Sequence, residues 1–237
     1  MPDKISDKMI VALDVATLDQ ARKLLKELEG IVTYYKIGFE FFTAYGWEAV
    51  NLVRQSGAKI FLDLKLHDIP NTAAKTAAVI CDHNIEMFNV HALGGLEMMQ
   101  GVRKTVDEKC KGKTKPVVIG VTILTSHTEE NLSTQLNISK KLNDQVLHLA
   151  ALAKQAGLDG VVSSPQEIAP LRKSLGKDFV IVTPGIRPAG SEMGDQKRVF
   201  GPREAVDAGA SHIVVGRPIT AAPDPRATAI GILKTLS

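Results

Sequence analysis

A chain of 237 residues, 44% apolar and 23% charged, has the make-up of an ordinary folded domain with enough apolar content for a sizeable core, which excludes a disordered chain. Its net charge of +3 comes from Lys and Arg interleaved with Asp and Glu; that pattern argues against a nucleic-acid surface and leaves room for a local anion site. No run approaches the ~18 apolar residues of a membrane span, the apolar run after Lys8 is too short for a signal-peptide core, and Cys81 and Cys110 lack any disulfide-scaffold or metal-like spacing.

A cytoplasmic protein with two free, buried thiols and no nucleic-acid or membrane partner is expected. Short β-branched runs alternate with longer amphipathic stretches along the whole chain, the pattern of βα units around a parallel sheet. The first strand is predicted over Met9–Asp14. It is followed by "TLDQARKLLKELEG", where Leu18, Ala21, Leu24, Leu25 and Leu28 recur at helical spacing, Thr17 and Gln20 form a capping box, and Gly30 closes the helix. Further strands are predicted over Tyr34–Gly38, Lys59–Lys65, Met87–Ala92, Val117–Leu124, Gly160–Ser164, Phe179–Gly185 and His212–Arg217.

Eight such units in about 240 residues fit one α/β domain, a (β/α)8 TIM barrel spanning 1–237. A doubly wound open sheet would want a GxGxxG turn after its first strand, where this chain has "DVATLDQ". Two connections exceed the usual length. One is Ser126–Ile138; the other, "RPAGSEMGDQKRVFG", spans about 187–201 and reads as an active-site lid, with Gly190 and Gly194 as flexible points and Gln196 as a hydrogen-bonding tip.

Polar residues at the C-terminal ends of barrel strands carry a functional prior, because that face holds the active site in such enzymes. Asp14, Lys36, Asp63 and Lys65 all fall there. Residues two apart in a strand share a face, so Asp63 and Lys65 point one way and Leu62, Leu64 and Leu66 the other. Alternating signs keep each carboxylate beside an ammonium and all four groups ionised near neutral pH. The alternative, an ion-pair network that only fixes register, would more often sit on the bottom face or the surface.

The seventh and eighth strands end in "PGIRP" and "VVGRPI". There Gly185 and Gly216 let backbone amides approach an anion while Arg187 or Arg217 offers a forked pair of donors, a pattern suited to phosphate. His91 reads as a hydrogen-bonded residue of the core edge before it reads as a general acid, and His67 more so. None of the histidines has HxH or HExxH spacing, and no Ser or Cys sits in a GxSxG elbow.

"LDLKLHDIPNT", with "IVALDV", "YYKIGFEFF", "NVHALGG", "VTILTS", "VTPGIRPAG…DQKR" and "IVVGRPI" in that order, resembles the orotidine 5′-monophosphate (OMP) decarboxylase family along the whole chain. The resemblance implies decarboxylation of OMP to UMP and CO2, the last step of pyrimidine biosynthesis, with no metal and no cofactor. It implies a Lys36-Asp63-Lys65-Asp68 tetrad, with Lys65 protonating C6 of the pyrimidine. It further implies Asp14 and Lys36 as ribose ligands, Thr125 and Pro184 beside the base, and Arg187, Gln196, Gly216 and Arg217 as lid and phosphate grip. Asp68, Ile69 and Thr72 are implied to reach into a neighbouring subunit, making a homodimer with shared sites. Two alternatives stay open: a Mg²⁺-dependent relative acting on sugar phosphates, such as 3-keto-gulonate 6-phosphate decarboxylase or hexulose-phosphate synthase, and a non-catalytic binder of nucleotide phosphates.

Overall fold

The structure, a computed structural model, describes residues 5–188 and 200–237. Parallel strands β1 (Met9–Ala12), β2 (Tyr34–Ile37), β3 (Lys59–Leu66), β4 (Met87–His91), β5 (Val117–Val121), β6 (Gly160–Val162), β7 (Val180–Thr183) and β8 (His212–Val215) follow one another around a closed barrel. Closure comes from β8 pairing with β1, Ile213 opposite Met9 and Val215 opposite Val11. Helices cover the outside, as the predicted (β/α)8 barrel requires.

Alternation along the strands divides the apolar residues between two compartments. Ile10, Ala12, Tyr34, Phe61, Met87, Ile119, Val182 and Val214 fill the barrel interior. Their strand neighbours, such as Val11, Tyr35, Leu62, Phe88 and Ile213, join the larger core beneath the helices. Leu64 and Leu66 pack against that outer core, on the side expected for them.

Most strands are shorter than the apolar runs suggested: β1 stops before Asp14, β5 before Leu124 and β8 before Arg217. The ladder ends where the backbone turns into the loops at the barrel mouth, and sequence hydrophobicity carries on past that point. β3 is the exception and extends one residue beyond Lys65. Its pairing with β4 shifts register between Leu62 and Leu66, and Lys65 adopts φ 46°, so the regular ladder is interrupted there although Asp63 and Lys65 still meet on one face.

Helix α1 (Leu18–Glu27) starts at the predicted capping box: Thr17 Oγ1 accepts from Gln20 N at 3.2 Å and Gln20 Oε1 accepts from Thr17 N at 3.2 Å. After β2 come α2 (Phe39–Tyr45) and α3 (Trp47–Gln55), separated by Gly46 at φ 53°. α4 (Pro70–Asp82) begins with proline in its first turn and packs on α5 (Gly95–Lys109). The connection Ser126–Ile138, expected as a long loop, contains α6 (Glu129–Thr134). That helix is capped by a Thr128–Asn131 box and anchored by fully buried Leu132. The capping pair was readable, but six residues are too few for helical periodicity to register.

Further round the barrel lie α7 (Leu142–Gln155), α8 (Ile168–Leu175), α9 (Pro202–Asp207), α10 (Arg217–Thr220) and α11 (Pro225–Thr235). Both cysteines are free, but Cys81 is only half-buried, so the expectation of two buried thiols holds for Cys110 alone. Burial, and after it the neighbouring Cys110 thiol, pushes the Cys81 thiol up to about 12. Among the described residues, no helix is long and apolar enough to cross a membrane.

Candidate active site

Strand ends β1 to β4 bring the predicted charges together at the C-terminal mouth. Lys36, 9% exposed on β2, lies between Asp14, whose Oδ1 is 3.0 Å from Nζ, and Asp63, whose Oδ2 is 3.3 Å away. Asp63 is 8% exposed, and its other oxygen, Oδ1, accepts from Lys65 Nζ at 2.7 Å. The order Asp14–Lys36–Asp63–Lys65 is therefore a chain of alternating charges. Its inner members are buried and its ends, Asp14 and Lys65, open to solvent.

Burial pulls the Lys36 ammonium down, but the Asp63 and Asp14 carboxylates outweigh it and hold the group above its ordinary value. Lys36 stays charged because two carboxylates lie within 3.3 Å of its buried ammonium and compensate the loss of hydration. The Lys65 ammonium also faces the Phe39 ring, 5.3 Å from its centroid.

Two residues that carry this arrangement were not singled out from the sequence. A Cβ on Gly38 would lie 2.8 Å from Lys36 Nζ and 3.1 Å from Asp14 Oδ1, so any larger residue there requires the ammonium to shift. Gly38→Ala is expected to displace Lys36 and cost about 1–3 kcal/mol in a urea melt. A melt matching wild type would show that Lys36 moves aside freely. The second residue is Asn89, 1% exposed in the middle of β4, whose Nδ2 donates to Asp63 Oδ1 at 2.6 Å. A polar residue inside the otherwise apolar run "MFNVH" was the available signal.

Asp68 is not part of the cluster within this chain. It is exposed beyond β3, where its Oδ1 accepts from Ile69 N at 2.7 Å. Ile69 is 67% exposed and Thr72 is also on the surface, at the start of α4. These three predicted residues form one outward-facing segment.

Arg187 follows the end of β7 and Arg217 the end of β8, the strand that pairs with β1. Arg187 N donates to Phe200 O at 2.9 Å, and Ile186 pairs with Phe200, which ties the chain on the two sides of residues 189–199 together. Burial, and then the neighbouring Arg217 charge, lower the Arg187 guanidinium from its ordinary value. Two guanidiniums that repel each other form a place where an anion is favoured. Gly185, at φ 77°, makes the turn that leads from β7 to Arg187, and Gly216 caps α10 beneath Arg217. Thr125 and Pro184 are half-buried beyond the ends of β5 and β7. Gln196, Gly190 and Gly194, and with them most of the expected lid, lie outside the described residues. A cavity of about 570 Å³ opens between α1 and the start of α11, meeting the site through Asp14 and Arg217. Among the described residues no three His, Cys, Asp or Glu side chains converge as a metal cage.

His91 is half-buried at the end of β4, its ring stacked on His67 with centroids 5.3 Å apart. Its Nδ1 accepts from Leu93 N at 3.3 Å, the hydrogen-bonded role expected of it. Burial, then the charges of His67, Lys65 and His127, push its pKa down from 6.5 to about 4. With the folded value below the unfolded one, the unfolded chain takes up the proton first as pH falls. This contribution to stability is complete above about pH 6.5 and is lost on the way to about pH 4. At roughly 1.4 kcal/mol per unit the loss reaches at most ~3 kcal/mol. Urea midpoints measured at pH 7 and pH 4.5 should differ less for His91→Gln than for wild type; equal differences would refute the assignment.

Residues 7–232 match the orotidine 5′-phosphate decarboxylase / HUMPS family. The orotidine 5′-phosphate decarboxylase of Moorella thermoacetica is 50% identical over 228 residues, covering 95% of this chain and 90% of that protein. That of Geobacter metallireducens is 47% identical, covering 98% and 96%. Among solved structures, the orotidine 5′-phosphate decarboxylase of Lactobacillus acidophilus superposes with a TM-score of 0.86 at 39% identity, covering 98% of this chain and 99% of that one. With a match over nearly the whole barrel and relatives this similar, the chain belongs to the orotidine 5′-phosphate decarboxylase / HUMPS family.

Proposed function

We propose that this protein decarboxylates orotidine 5′-monophosphate to UMP and CO2 without a metal or cofactor. The observation that carries the reading is the line Lys36–Asp63–Lys65, whose buried members lead to an ammonium open to the mouth and held by a carboxylate at 2.7 Å. Breaking the bond between C6 and the carboxylate leaves its electron pair on C6. The protein itself must stabilise that charge, since no cofactor accepts it. Lys65 meets the developing carbanion, then transfers a proton from Nζ to C6 and is recharged from solvent.

Asp63 crowds the substrate carboxylate in this reading. At ~4 Å and an effective dielectric of ~20, two like charges repel by roughly 4 kcal/mol, about a thousandfold in rate. Enzymes typically supply ~8–23 kcal/mol, so repulsion is the smaller contribution. Stabilisation of the carbanion by Lys65 and binding energy from the phosphate make up the rest.

In the same reading Asp14 and Lys36 hold the ribose hydroxyls, and Thr125 and Pro184 flank the base. Arg187, Gln196, Gly216 and Arg217 take the phosphate, with 187–201 closing as a lid. Support comes from the mutual proximity of Arg187 and Arg217, and from the cavity that Arg217 shares with Asp14. Asp68, Ile69 and Thr72 complete the site of a second subunit; their exposure, and the 67% exposure of apolar Ile69 in particular, supports a homodimer. The free thiols are compatible with a reducing cytoplasm.

The test follows the loss of orotate-ring absorbance when OMP is added in the presence of EDTA. Rapid metal-free decay is expected. Decay that appears only after Mg²⁺ is restored would turn the assignment to the sugar-phosphate branch of the family, and UMP binding without turnover would leave a binding protein.

A further inference from the structure

Lys65 is one of three non-glycine residues with positive φ among the described residues, at 46°. A left-handed backbone at such a residue is strained and persists only where the surroundings hold it. The regular β3–β4 ladder does not supply that hold, because the register shifts between Leu62 and Leu66. Instead Lys65 N donates 2.7 Å to the side-chain oxygen of Asn89. The amide nitrogen of Asn89 donates at 2.6 Å to Asp63 Oδ1, the oxygen that also receives Lys65 Nζ at 2.7 Å. One buried side chain thus grips both ends of the Asp63–Lys65 pair, the backbone of one and the carboxylate of the other.

We infer that Asn89 is a positioning residue of the reaction, fixing the left-handed turn at Lys65 and the Asp63 oxygen so that the Lys65 ammonium is delivered to a single point. The inference rests on the proposed role of Lys65 as proton donor. The chemistry calls for an amide. Aspartate keeps the acceptor for Lys65 N but sets a carboxylate against Asp63, and leucine offers neither donor nor acceptor. A single serine hydroxyl cannot span both partners. Misplacing a reacting group by about 1 Å can cost on the order of 100-fold in rate.

The diagnostic variant is Asn89→Asp, which preserves shape and reverses one hydrogen bond. At pH 8 two carboxylates face each other and kcat should fall about 100-fold relative to wild type. As pH drops to 6, a proton shared between the two carboxylates restores a donor toward Asp63. The variant-to-wild-type ratio of kcat should then recover by about 10-fold, while KM for OMP changes little. A purely structural role would lower the melting temperature and reduce activity by the same factor at every pH. A pH-independent ratio, near one or well below it, therefore overturns the inference.

Should Asn89→Asp fail to fold, Asn89→Ser decides the matter. Its kcat should fall about 10-fold with UMP affinity unchanged, and a kcat equal to wild type would overturn the proposal. Wild type is assayed alongside. Absence of OMP turnover by wild type would sink the decarboxylase reading, and this inference with it, whereas an active wild type with an indifferent Asn89→Asp sinks this inference alone.

Discussion

Lys65→Ala should lower kcat for OMP by about 10⁵-fold while leaving the barrel folded. Stabilising developing negative charge is worth ~10²–10³, and donating a proton in the transition state another ~10²–10⁴; in the proposed mechanism one ammonium performs both tasks, so the losses multiply. KM should move far less, because the arginines proposed to hold the phosphate are untouched. Stability should change little. Asp63 keeps Lys36 at 3.3 Å and Asn89 at 2.6 Å, so its carboxylate is not left buried without a partner. Single-turnover kinetics with the variant, beside a urea melt, make the measurement. A loss below about tenfold would mean that another group protonates C6, and the role proposed for Lys65 would be abandoned.

Mixing two inactive proteins should restore activity. Asp68 lies outside the charged cluster of its own chain and is exposed, which fits service in a partner's site. Asp68→Ala alone should then be as inert as a protein missing one member of its charged set, a loss of about 10³-fold or more. After unfolding and co-refolding equal amounts of Lys65→Ala and Asp68→Ala proteins, about half of the dimers are mixed. Each mixed dimer has one site free of both substitutions, so about a quarter of wild-type activity should return. Isologous pairing with shared sites predicts this; sites complete within one chain predict none. Recovery below about 1% would show that Asp68 acts within its own subunit or not at all.

Much of this molecule is legible in its linear order, because the forces involved are local or periodic. Apolar runs alternating with amphipathic stretches specify strands and helices through side-chain burial every second or every third to fourth residue. Eight such pairs leave little choice but a closed parallel barrel. Charges at the ends of apolar strands mark the working face, since burying them elsewhere would cost several kcal/mol each. Asp14, Lys36, Asp63 and Lys65, and the glycine–arginine pairs ending in Arg187 and Arg217, were all identifiable on those grounds.

Where the strands stop, and what each charge touches, depended on contacts between residues far apart in the chain. Gly38 matters because β2 and the end of β1 converge on one ammonium, and Asn89 matters because β4 lies beside β3 with a shifted register. Asp68 and Lys65 are three residues apart, yet only the turn into α4 decides that one faces outward while the other joins the cluster. Composition and periodicity report how much a residue wants to be buried and on which face of its own element. They carry no information on which distant element meets that face, and the left-handed turn of Lys65 is set by such a meeting.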